Sequence, residues 1–194
     1  MLSMYQASAP RFVHVLNNLS AMLDKAQAHA EARKIDPAAL TTFRLFPDMF
    51  PLSRQIQVAC DVSKGVVARL AGVDVPKHED TEQTFAELKA RIAKTVAFIQ
   101  SIRPEQIDGS DDKEIVVKLG KQEYRFKGMQ YLLSYGHPNF YFHATTVYNI
   151  LRHNGVELGK KDFVGEFSHA RIADVRPVAR HHRYRVMWNH CLHV

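Results

Sequence analysis

The residues best suited to chemistry are carboxamides and one imidazole on two separate stretches. Gln55 and Gln57 lie in FPLSRQIQVACD, and Asn139, His143 and Tyr148 lie in NFYFHATTVYNILRHNG. His143 falls in a set with Phe140, Ala144, Val147 and Leu151, whose i, i+3, i+4, i+7 and i+11 spacing puts all of them on one helical stripe. An imidazole on a buried stripe needs a hydrogen-bond partner or a metal ion, because an unpaired buried polar group costs on the order of 1–3 kcal/mol. Two readings stay open. In one, His143 is a core histidine bonded to Gln55, Gln57 or Asn139, and Gln55 lies nearer than Gln57 to the apolar stripe of its helix. In the other, these polar groups line a small interhelical pocket with Tyr141 or Tyr148 close by. An apolar-walled cavity with a few convergent polar groups is the usual form of a ligand site between helices.

Other chemistry is missing from the chain. It has no glycine-rich phosphate loop, no G-x-S-x-G elbow and no H-E-x-x-H. Cys60 sits in an apolar helical stripe with nothing beside it to activate a nucleophile, so it reads as a small buried hydrophobe. His14 and His29 read as surface or half-buried residues, His137 and His153 as surface residues, and Asp111-Asp112 as a solvated loop pair. Residues 166–194 carry five of the eleven histidines and the only tryptophan. The His181-His182 pair and the His190, Cys191, His193 cluster lack the paired spacing of a zinc site, so this basic His/Arg-rich stretch reads as a C-terminal extension.

Four amphipathic helices must position the carboxamides and the imidazole. The first is expected within Ser3–Lys34, with Phe12, Leu16, Leu19, Leu23 and Ala26 inward and Pro10 beginning or kinking its regular part. A connection over Ile35–Pro51 follows, with Asp36-Pro37 as a cap and first-turn pair and Phe43, Phe46 and Phe50 fastening it down. The second helix runs over about Leu52–Ala71. Gly72–Glu79 is a break, after which Asp80 or Thr81 caps a third helix reaching Ile102, inward through Phe85, Leu88, Ile92, Val96 and Ile99. From Glu114 to Phe126 the period changes to two, which predicts a β-hairpin turning at Gly120-Lys121-Gln122. The fourth helix spans Gly128–Gly155, bent or broken at Pro138 and stopped by Asn154-Gly155.

A chain of 194 residues, 46% hydrophobic and 24% charged, is ordinary for one globular domain, here residues 1–165. No apolar run approaches the roughly 18–20 residues of a membrane span, and no secretory leader is visible, so a cytoplasmic location without membrane association is expected. The net charge of +6 divides evenly. Five arginines against Glu166 and Asp174 give the extension half of it, and the body's basic residues are interleaved with acids as on a solvated surface. Nucleic acid is therefore not an expected partner.

The run Asn139–Val156 resembles the last helix of the DinB/YfiT-like metalloenzyme superfamily, and within it a branch known as a domain of unknown function. MYQASAPRF at Met4–Phe12, FPLSRQIQVACD at Phe50–Asp61, ARLAGV at Ala68–Val73 and FAELKARI at Phe85–Ile92 carry the resemblance further, over residues 4 to about 165. It implies an all-α fold, an antiparallel four-helix bundle with a small β-hairpin between helices 3 and 4; a homodimer is the expectation for a non-catalytic module of this kind. The resemblance also implies a divalent metal, zinc or nickel, held by one histidine of the second helix and two, four residues apart, of the last. Transferase or hydrolase chemistry would follow. Of that set this chain keeps His143 alone: Asn139 stands four residues earlier, and Arg54-Gln55-Ile56-Gln57 stands where the second helix would supply its histidine. The resemblance thus implies a degenerate metal site, used by a divergent enzyme or by a non-catalytic module that binds a small molecule or a protein.

Overall fold

A computed structural model describes residues 2–166, and the expectations for the extension beyond Glu166 lie outside that range. The helices are α1 Met4–Ala7, α2 Ala9–Arg33, α3 Pro37–Thr41, α4 Leu52–Ala71, α5 Phe85–Ser101 and α6 Pro104–Ile107, then α7 Gly128–Gln130, α8 His137–His153 and α9 Lys160–Val164. Between α6 and α7 lie strands β1 Glu114–Leu119 and β2 Gln122–Lys127. The described residues are mostly helical, with a small two-stranded antiparallel sheet. Four long helices make the body: α4 packs against α8 on one side and α5 on the other, and α2 packs on α5 and α8. Phe12, Leu16, Leu19, Leu23, Ile56, Leu70, Leu88, Val147 and Leu151 are fully buried between them. No helix among the described residues is long and apolar enough to cross a membrane.

The helix ends explain where the expected boundaries move. The first helix is interrupted at Ser8 (φ −117°, ψ −84°), and Pro10 enters the first turn of α2, where its missing N–H costs nothing. Asp36 caps α3, accepting from the Ala38 N–H at 2.9 Å. The expected cap of the third helix is corrected. Thr84 accepts from the Glu87 N–H at 3.3 Å while Glu87 accepts from the Thr84 N–H at 2.9 Å, a reciprocal box that starts α5 three or four residues later than expected. Asp80 and Glu82 lie in the strap over residues 72–84, free to pair elsewhere. Among the loop aromatics, Phe43 packs on the His153 ring at 5.5 Å, whereas Phe46 and Phe50 stay exposed.

Strands β1 and β2 pair from Glu114↔Lys127 to Leu119↔Gln122, so Gly120-Lys121 is the loop and Gln122 already belongs to β2. Ile115 and Val117 are buried beneath the hairpin, and Phe126 meets the rings of Tyr131 and Tyr135. That anchorage supplies what two strands alone lack. Tyr131–Gly136 forms a wide π turn leading into α8, in which the His137 N–H donates to the Leu132 carbonyl five residues back. Pro138 has no N–H to give, and the widened turn absorbs the mismatch that would otherwise break the helix. At Gly136 a Cβ would come within 2.9 Å of Val66, so glycine lets this turn close onto α4.

Candidate functional site

Building outward from α8, the stripe predicted for it is buried at Phe140, Ala144, Val147 and Leu151, while His143 is half-buried at its edge. Across from it stands the first turn of α4. There Gln55 is 1% exposed and its Nε2 donates to the Phe50 carbonyl at 3.1 Å. A carbonyl only accepts, so the amide group of Gln55 must face Phe50 and its Oε1 must face the imidazole. His143 Nδ1 lies 2.7 Å from that oxygen. The proton therefore sits on Nδ1, and Nε2 carries the lone pair. Burial, and after it the positive charge of Arg54, push the imidazole below its ordinary value of 6.5. At neutral pH this is an uncharged base with one nitrogen committed and the other available. Phe142, 59% exposed, sets its ring edge-on to the imidazole at 5.2 Å.

The other residues expected near His143 are distributed differently. Asn139 lies one turn earlier, and its Nδ2 donates to the Tyr135 carbonyl at 2.7 Å, repairing the irregular turn rather than meeting His143. Tyr148 is five residues further along α8, well round the helix, and its ring packs on Phe163 of α9 at 6.1 Å. Tyr141 stacks on His137 at 5.8 Å. His137 is half-buried, between Tyr141 and Phe12, with Nε2 donating to the Ala7 carbonyl at 2.9 Å, which corrects its reading as a surface residue. Gln57 turns away altogether. It donates to Glu82 Oε2 at 3.0 Å and accepts from Arg54 Nη1 at 3.2 Å, on the side of α4 that faces α5.

That second side holds a cluster the sequence reading missed. Arg91 of α5 has a side chain 1% exposed, and it donates to Glu82 at 3.0 Å and Asp61 at 2.8 Å and pairs with Asp80 at 3.0 Å. Lys64, also buried, donates to Asp61 at 2.6 Å. Arg54 pairs with Asp80 and lies over the Phe50 ring, 5.8 Å from its centre. The strap's acids thus tie it to α4 and α5. A signal was available: Arg91 follows Leu88 by three positions and precedes Thr95 by four, inside the apolar face of its helix. Beneath the cluster Cys60 is fully buried, and burial pushes its thiol up to about 12, as expected of a core residue.

No group of three His, Cys, Asp or Glu side chains able to hold a metal ion occurs among the described residues. Around His143 the neighbouring oxygen of Gln55 already accepts from Nδ1. One imidazole nitrogen among carboxamides is a poor donor set for zinc or nickel, and these residues do not fit a tightly held divalent ion.

The order of helices, the hairpin and the α4–α8 pairing define a DinB-like fold. A solved structure of a DinB family member from Shewanella denitrificans is 40% identical and superposes with a TM-score of 0.80, over 87% of this chain and 95% of that one. Residues 4–164 match the model of a domain of unknown function, DUF1993, and the chain belongs to that family. A comparison with curated proteins gives no match.

Proposed function

We propose that the α4–α8 face round His143 is a small-molecule site whose working atom is Nε2, used as a hydrogen-bond acceptor or general base. The four long helices then form the antiparallel bundle implied by the DinB relatives, with the site in a seam between two of them. The observation that carries this reading is the relay from the His143 Nδ1–H through Gln55 to the Phe50 carbonyl, because it assigns the lone pair to the outer nitrogen. A bound O–H, N–H or S–H can donate to that nitrogen or give it a proton. The proton would then be held beside Arg54, a placement that favours its return. A resident metal has no part in the reading, since the donor set does not fit one.

The test is the tautomer and its consequence. Long-range proton–nitrogen NMR spectra are expected to show His143 protonated on Nδ1, and Gln55→Leu to redistribute that proton toward Nε2. A tag-free preparation is expected to hold far less than one divalent ion per chain. Stoichiometric metal that disappears in His143→Ala would overturn the reading and favour a metal-dependent transferase or hydrolase.

A further inference from the structure

The His143 site is flanked by a cation that α4 supplies across the seam. Arg54 immediately precedes Gln55, and its guanidinium lies over the ring of Phe50, the residue whose carbonyl anchors Gln55. Both of its described bonds, to Gln57 and to Asp80, leave from Nη1. Nη2 and Nε have no partner among the described residues. The pair is half-open to solvent, with the side chains of Arg54 and Asp80 36% and 38% exposed. Asp80 has a second cation in Arg91, at 3.0 Å, so it keeps a partner if Arg54 turns. The remaining flanks are aromatic and exposed: Phe50 on the α4 side and Phe142 edge-on to the imidazole.

From this juxtaposition we infer that the ligand is a small organic anion with an apolar or aromatic body. Its carboxylate takes Arg54 in competition with Asp80, and its hydroxyl or amine donates to His143 Nε2. The inference rests on the His143 reading and adds the ligand's charge to it. Three features make the class specific. A guanidinium presents a planar fork that matches a carboxylate. Two aromatic flanks favour a flat apolar body. A lone pair at Nε2 requires a donor on the ligand, and Arg54 is the charge that acts on this imidazole. Asp80 is then a built-in competitor, setting how much of Arg54 the ligand can claim.

Two probes of equal shape separate the charge from the site: 3-hydroxybenzoate and 3-hydroxybenzamide, titrated into the full chain while the His143 ring resonances are followed. Both are expected to perturb His143, the carboxylate binding about fivefold more tightly, the upper range of a partly exposed ion pair. Arg54→Met is expected to bring the two affinities together, Arg54→Lys to restore part of the preference, and Asp80→Asn to enlarge it. Raised salt should narrow it. Equal affinities in the unsubstituted protein, or a preference untouched by both Arg54→Met and Asp80→Asn, would overturn the anion while leaving the His143 site standing. If neither compound moves the His143 resonances, the site itself fails and the inference with it.

Discussion

Helix α4 meets its two neighbours with polar groups of opposite character. Toward α5, Asp61, Lys64 and Gln57 join Arg91, Asp80 and Glu82 in a charged cluster in which each ion has a partner. Toward α8, Gln55 meets His143 with no ion at the bond, and one ring nitrogen is left over. Gln55 and Gln57 are two residues apart and of one chemical type, yet the helical rotation of about 200° between them sends one to each side. The contrast separates structure from function on a single helix. An ionic cluster in which every charge is paired holds the strap and two helices in register, whereas a neutral pair with a spare lone pair has something to offer a ligand.

The sharpest way to break this comparison is to remove the centre of the ionic side. Arg91→Met leaves Glu82 only the Gln57 amide and leaves Asp61 and Asp80 one cation each, Lys64 and Arg54, and a loss of about 3–5 kcal/mol is expected in urea unfolding, the scale of deleting one partner of a buried ion pair. The strap should also become open to proteolysis. On the neutral side Gln55→Ala removes one acceptor from a half-buried imidazole, and about 1 kcal/mol is the expected loss. Equal losses for the two variants would erase the distinction drawn between the sides.

Much of this was legible in the residues. The stripe through Phe140, Ala144, Val147 and Leu151, the alternation at Ile115 and Val117 and the Asp36-Pro37 pair are local patterns, and local patterns survive folding because the backbone period alone enforces them. Gln55 as a neighbour of His143 followed from the wheel of α4. What could not be read is where charges go once helices meet. Arg91 counts as one more scattered base until α4 supplies Asp61 and the strap supplies Asp80 and Glu82. Those same acids near the start of the third helix drew the cap to Asp80 or Thr81, although the Thr84-x-x-Glu87 box stood in plain view. Asn139 shows the other limit. Four residues before His143 it occupies a ligand position of the family pattern, but the π turn raised by Pro138 gives its amide a backbone carbonyl to bond.

A finer separation comes from acid. Burial lowers the imidazoles of His78, His137 and His143 from 6.5, with Lys64 and Arg91 adding to it for His78 and Arg54 for His143. The unfolded chain therefore takes up protons near pH 6.5 that the folded protein refuses. Stability is complete above that pH and falls as pH drops toward the depressed folded values. Asp80, lowered from 3.8 despite its burial through its bonds to Arg54 and Arg91, surrenders its contribution only below about that value. Urea midpoints at a series of pH values should thus decline in two stages, histidines first and paired carboxylates second. In His143→Phe the first stage should shrink and the second stay unchanged, because no carboxylate bonds that ring. His78→Phe touches the other side of α4, next to Asp61 and Arg91, and should shift both stages. A His143→Phe variant that moved the carboxylate stage would mean that the two sides of α4 communicate, and the neutral site would then have to be treated as part of the ionic cluster.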